Sequence, residues 1–142
     1  MTVDKEKLRQ KLQFMRQELR ELERFRRMGR DQFKSDSIYE AAATRMLQVA
    51  IEALLDACTH VVAREGWGLP KTYAETIEVA AQHGLVPAEM KETYKAMVRF
   101  RNRVVHLYDQ VDADEVWDII QNHLGDFKPF IAAMVKRYFA EE

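Results

Sequence analysis

Residues 97–112 read MVRFRNRVVHLYDQVD, and this stretch gathers the side chains best suited to chemistry in the 142-residue chain. Arg101, His106 and Tyr108 fall into the pattern R-x4-H-x-Y, and Asn102 directly follows the arginine. A histidine titrates near pH 6.5, at about the pH where proton transfer is useful. An arginine stays charged and presents a planar fork that matches phosphate oxygens. The pair therefore suits proton transfer beside a developing oxyanion, with His106 moving the proton and Arg101 orienting substrate and stabilising the transition state. Arg99 and Arg103 flank the pair as candidate phosphate contacts.

On a straight helix this spacing is awkward. Five residues correspond to about 140° of rotation and about 7.5 Å of rise. Arg101 and His106 would then face different ways, whereas Asn102 and His106, four apart, would share a face. Either the helix ends near His106, or a two-fold dimer brings two copies of the motif together across a cleft.

Outside the motif the chemistry thins out. Glu52 and Asp56 stand four apart in an apolar stretch. Two carboxylates alone make a thin metal site, with no histidine at ligand spacing, so no metal is expected. They are expected to pair with Arg45 or with the motif, where they would orient Arg101. His60, His83 and His123 are scattered and read as structural. Cys58 lies among apolar residues, where cysteine behaves as a small hydrophobe. Trp67 and Trp117 read as core or dimer-interface anchors. The run Arg24, Arg26, Arg27, Arg30 reads as a solvated helix end before it reads as an RNA contact. No Gly-rich phosphate loop, zinc spacing or serine-nucleophile motif is present.

The elements that must hold these residues are helical. Leu8, Leu12, Met15, Leu19 and Leu22 draw one stripe down a first helix that stops near Gly29. A second helix starts near Asp36 or Ser37 and runs to about Glu65. It is apolar on several sides, as a central helix is. Thr72 and Glu75 read as a capping box opening a short third helix that ends at His83 and Gly84. Pro87 opens the fourth, striped by Met97, Phe100, Val104 and Leu107. Asp112 and Glu115 cap the last, which carries Val116, Ile120, Leu124, Phe127, Ile131, Met134 and Tyr138. Pro129 either kinks it or sits in the first turn of a new helix capped by Asp126. No strand-like alternation occurs. These readings predict an all-α, mostly antiparallel bundle of four to five helices, one domain over residues 1–142.

The motif and its surroundings resemble the HEPN superfamily, specifically the HepT-like ribonuclease toxins of bacterial toxin–antitoxin pairs. The likeness extends over MVRFRNRVVHLY and VDADEVWDII, over IYEAAATRMLQVAIEALLDACTHVV in the second helix, and over Pro70, Thr72 and Tyr73, about residues 35–125 in all. It implies a metal-independent endoribonuclease acting on tRNA or mRNA, without cofactor, at a composite site in a homodimer. It also implies a partner, a minimal nucleotidyltransferase antitoxin, that places AMP on Tyr108. The negative, bulky adduct would block RNA by repulsion and occupancy. The alternative reading is a non-catalytic companion of a nucleotidyltransferase that binds RNA or nucleotide.

Composition agrees with a globular chain and narrows little further. Apolar residues make up 47% and charged residues 32%, with a net charge of −1. That balance gives no whole-chain signal for nucleic acid or membrane. The polar N-terminus does not read as a signal peptide, and no apolar run approaches the roughly 18 residues of a membrane span. A cytoplasmic location is the expectation.

Overall fold

The computed structural model describes residues 2–106 and 111–140, and among these every regular element is helical. Seven α-helices follow in order: α1 (Lys5–Arg26), α2 (Arg30–Lys34), α3 (Ser37–Arg64), α4 (Tyr73–Gln82), α5 (Lys91–His106), α6 (Ala113–Asn122) and α7 (Lys128–Tyr138).

Helix α1 forms because Asp4 accepts from the Lys7 backbone N–H at 3.1 Å, satisfying one of the orphan donors of the first turn. Its stripe of Leu8, Leu12, Met15 and Leu22 is buried against α3. The two run antiparallel. The start of α1 meets the end of α3, where the Asp4 N–H donates to His60 Nε2 at 3.0 Å. The end of α1 meets the start of α3, where Phe25 packs edge-on against Tyr39.

Helix α3 is the centre of the molecule. Eleven of its residues are buried, spread around its circumference, because α1, α2, α4, α5 and α6 all pack on it. By length and composition α3 is apolar enough to cross a membrane, a property the search for an unbroken apolar run misses because Glu52 and Asp56 interrupt the stretch. Fully 56% of that stretch is buried inside the protein, which accounts for its apolar content.

The short α2 has no counterpart in the sequence reading. It is too brief for periodicity to show, and one buried residue anchors it: Phe33 is fully buried between Phe25 and Trp117, while Arg30 and Lys34 pair with Asp114 at the surface. The Thr72 capping box is present with a changed partner. Thr72 accepts from the Glu75 N–H, and Glu75 accepts in return from the Lys71 N–H at 2.7 Å, one residue earlier than the usual box. Helix α4 closes at Gly84, whose φ of +78° suits glycine and lets the Leu85 N–H reach the Ala80 carbonyl at 2.9 Å.

On α5 Phe100 of the expected stripe is buried and Met97 and Val104 pack partly buried against the core, with Tyr94 and Val98 buried as well, so the apolar face is wider than the line read in the sequence. Leu107 lies outside the described residues. At the chain's end Pro129 begins a separate helix, α7, after a 3-10 turn over Leu124–Phe127. Asp126 does not cap it. Its carboxylate faces His123 Nδ1 at 3.0 Å and its carbonyl accepts from the Tyr94 hydroxyl at 2.9 Å. Both tryptophans pack within the chain: Trp117 on Phe33, and Trp67 stacked on His83 with the Arg137 guanidinium above it.

Candidate active site

Helix α5 carries the motif, and α3 and α4 hold its arginine. Arg101 is half-buried. Its Nε donates to Glu52 Oε2 at 2.9 Å, and Gln48 donates to the same oxygen at 3.3 Å. Its Nη1 donates to the Asn102 side-chain oxygen at 3.2 Å. The guanidinium carbon lies 5.4 Å from the centre of the Tyr73 ring, within cation–π range. Among the described residues no partner takes its Nη2. A half-exposed ion pair of this kind adds about 1 kcal/mol or less to stability, so its consequence is orientation. The fork is fixed on its inner edge and open on the outer one.

The two carboxylates of α3 hold different partners one helical turn apart. Glu52 takes Arg101. Asp56 accepts from the Tyr73 hydroxyl at 3.2 Å and lies 3.8 Å from Lys11 Nζ of α1. Of the two pairings expected from the sequence, Glu52 takes the motif and not Arg45, and Asp56 takes neither. Burial and the adjacent Asp56 carboxylate raise the Tyr73 hydroxyl above its usual range, so it stays protonated and donates. Tyr73, Gln48 and Lys11 therefore belong to the arginine's surroundings. Nothing in the sequence singled them out as site residues: Tyr73 and Lys11 reach across from α4 and α1, and Gln48, one turn before Glu52 on α3, is an ordinary polar residue until the packing places Arg101 there.

His106 is exposed on the last described turn of α5. The helix is regular through it, so Arg101 and His106 of one chain diverge by the angle their spacing dictates. Asn102 and His106 share a face, continuing the line of Val98. Arg99 is exposed. Arg103 is engaged across the α5–α6 contact by Glu115, with Nη1 to Oε2 at 2.8 Å and Nη2 to Oε1 as a second bond. Tyr108 lies outside the described residues.

Other reactive groups are spoken for. Burial pushes the Cys58 thiol well up, which leaves it an inert core residue. Arg24, Arg26 and Arg30 pair with Glu21, Glu23 and Asp114. Among the described residues no three histidine, cysteine or carboxylate side chains gather where they could share a metal ion.

Comparison with known proteins adds to this geometry. The model of a family described as ribonuclease HepT-like matches residues 15–134. The mRNA nuclease HepT of Shewanella oneidensis is 32% identical over 100 residues, 70% of this chain and 75% of that protein. The tRNA nuclease HepT of Aphanizomenon flos-aquae is 22% identical over 121 residues, 85% and 82% of the two chains. Among solved structures, the tri-AMPylated Shewanella oneidensis HEPN toxin in complex with MNT antitoxin matches with a TM-score of 0.83 at 26% identity, over 90% of this chain and 96% of that one. A cytosolic protein of unknown function from Bacillus subtilis matches with a TM-score of 0.77 at 21% identity, over 96% and 94%, a likeness of fold alone.

Proposed function

The chain belongs to the ribonuclease HepT-like family, and from that premise we propose that it is a metal-independent endoribonuclease toxin that cuts tRNA or mRNA. The observation that carries the reading is the clamped Arg101. A guanidinium fixed by Glu52, Asn102 and Tyr73, with its outer edge open, is preorganised to meet a phosphate. His106 supplies the proton transfer. The 2′-hydroxyl loses its proton to imidazole, its oxygen attacks the neighbouring phosphorus, and the P–O5′ bond breaks as the imidazolium returns the proton to the leaving 5′-oxygen, giving a 2′,3′-cyclic phosphate and a 5′-hydroxyl. Arg101 stabilises the charge on the pentacoordinate phosphorus. Arg99, exposed on the same helix, adds a further phosphate contact, whereas Arg103 is held end-on by Glu115 and braces α5 against α6. The neighbouring carboxylates are committed to Arg101 and Tyr73, which favours this assignment over a metal-ion mechanism.

The site is composite. Arg101 of one copy works with His106 of a second copy in a homodimer, since the two residues diverge within one helix. The HEPN toxin of Shewanella oneidensis is AMPylated and bound to an MNT antitoxin. By that likeness a nucleotidyltransferase antitoxin neutralises this chain in the cytoplasm. The Tyr108 hydroxyl, giving up its proton, attacks the α-phosphorus of ATP, pyrophosphate leaves, and AMP remains on the tyrosine, a bulky negative group that opposes RNA binding.

Expression of the chain alone, beside Arg101→Ala and His106→Ala, tests the enzyme. Growth arrest, with total RNA degraded by the purified parent in EDTA and not by either variant, is the expected result. Three harmless proteins that leave RNA whole would replace it with the binding-companion reading. Intact mass of the chain co-produced with its antitoxin tests the modification, which Tyr108→Phe should abolish.

A further inference from the structure

Directly beside the clamped arginine lies an open cavity of about 610 Å³, between the start of α4 and the middle of α5. Its volume falls in the usual range of small-ligand sites, about 300–1,000 Å³. Thr59, Lys71, Thr72, Tyr73, Val98 and Asn102 line it. It shares two walls with the active site: Tyr73, whose ring Arg101 covers, and Asn102, whose carboxamide oxygen Arg101 occupies. With its oxygen engaged, Asn102 has its NH2 group left to offer, a donor with no acceptor among the described residues. Lys71 is exposed at the rim, and its ammonium makes no ion pair with a described residue. The first turn of α4 adds the positive end of a helix on the same side.

Charge separates this cavity from the others. No residue lining it is acidic. Concavities elsewhere carry Glu40, Glu115 with Asp126, or Glu23. The two nearest carboxylates are already engaged, Glu75 by the Lys71 backbone N–H and Asp56 by the Tyr73 hydroxyl. An aromatic wall, a directed amide donor and a cation with no ion pair to a described residue suit one nucleotide: a base against the ring and apolar floor, and a phosphate at the lysine. The cavity adjoins Arg101 through Tyr73 and Asn102, so a strand seated in it passes beside the guanidinium.

We propose that this cavity holds the nucleotide of the RNA strand next to the bond that is cut, with Lys71 taking its phosphate and Asn102 its base. The proposal rests on the reading of the chain as an RNA-cleaving enzyme, and its test reads binding apart from cleavage. A fluorescent single-stranded RNA with 2′-O-methyl groups throughout binds without being cut. Its affinity is measured against salt for the parent, for Lys71→Ala and for Ala74→Phe, which fills the cavity without changing charge. Thr59→Phe, at the exposed rim, serves where Ala74→Phe does not fold.

Lys71→Ala should weaken binding several-fold and lower the slope of log affinity against log salt by about 0.7, the loss of one phosphate contact on a single strand. The filled variants should weaken binding several-fold with the slope unchanged. Folded variants that bind like the parent with the same slope would overturn the proposal. So would a free mononucleotide that occupies the cavity while RNA affinity stays untouched by the variants. A parent that binds as described and leaves unmodified RNA whole would overturn the enzyme reading and leave the nucleotide site standing.

Discussion

Arg101 and Arg103 stand two residues apart on α5 and face opposite neighbours. Arg103 meets Glu115 end-on, with both terminal nitrogens bonded to both carboxylate oxygens, so the edge that would grip a phosphate is taken up. Arg101 meets Glu52 side-on through Nε, and its outer nitrogen has no partner among the described residues. The two carboxylates do opposite things to chemically identical side chains. Glu115 ties α5 to α6, and Glu52 aims a cation. Which face of the fork a carboxylate occupies, more than the presence of an ion pair, separates a brace from an active-site group.

The sharpest way to break this comparison is to truncate both. Arg101→Ala should cut RNA cleavage by about a hundredfold to a thousandfold, the loss expected from one preorganised donor at a developing charge. Its unfolding free energy should change by about 1 kcal/mol or less. Arg103→Ala should show a far smaller loss of cleavage and a similar change in stability. Equal losses of cleavage would erase the distinction between brace and active-site group. Arg101→Lys sharpens the point further. A lysine keeps the charge without the fork, so cleavage should stay well below that of the parent although net charge is unchanged.

The supports of Arg101 should matter less than the arginine itself. Tyr73→Phe keeps the ring under the guanidinium and removes the hydroxyl's bond to Asp56, so kcat should fall a few-fold. Tyr73→Ala, which removes the ring as well, should cost about tenfold, near the upper end of a cation–π contact. The reverse order would assign the orientation to the Asp56–Lys11 chain instead. Glu52→Gln keeps an acceptor and drops the charge, and its cleavage should lie between that of the parent and that of Arg101→Ala.

The smallest effect lies away from both arginines and calibrates them. His60 accepts from the Asp4 backbone N–H, which requires a neutral imidazole. Burial, with Arg64 and Lys7 nearby, lowers its pKa from the ordinary 6.5. A base depressed in the folded state takes up its proton first in the unfolded chain. Stability should therefore fall as pH drops below 6.5 and level off once the folded histidine is protonated too. His60→Gln, an acceptor that does not titrate, should flatten the curve below pH 6.5. An unchanged curve would remove His60 as the cause and locate the acid sensitivity elsewhere.

The legible part of the fold is the part written in long periods. Leu8 to Leu22 and the many-sided apolar α3 declare themselves because a buried stripe must repeat with the helix. Phe33 makes α2 with a single anchor, too little for any period to register. Asp126 looks like a cap in the sequence, yet His123 and Tyr94 claim it from elements the sequence does not place beside it. The site divides in the same way. Arg101, Asn102 and His106 are neighbours in the chain, and Glu52 stands out as a carboxylate in an apolar helix. Tyr73 and Lys11 reach Arg101 or its support from two other helices, so only the packing discloses them, and Gln48 gains its role only because Arg101 docks on Glu52 beside it. The divergence of Arg101 from His106 was readable from spacing alone, and the regular α5 retains it.

That divergence leads to the most direct test of the composite site. Arg101→Ala and His106→Ala chains, each inactive alone, are mixed under conditions that exchange subunits, and RNA cleavage is measured. The mixed dimer carries one intact site, with Arg101 from one chain and His106 from the other, so cleavage should return to a substantial fraction of the parent's. Mixed dimers that form, by mass, and remain as inactive as either variant alone would contradict a site shared in this way between two chains.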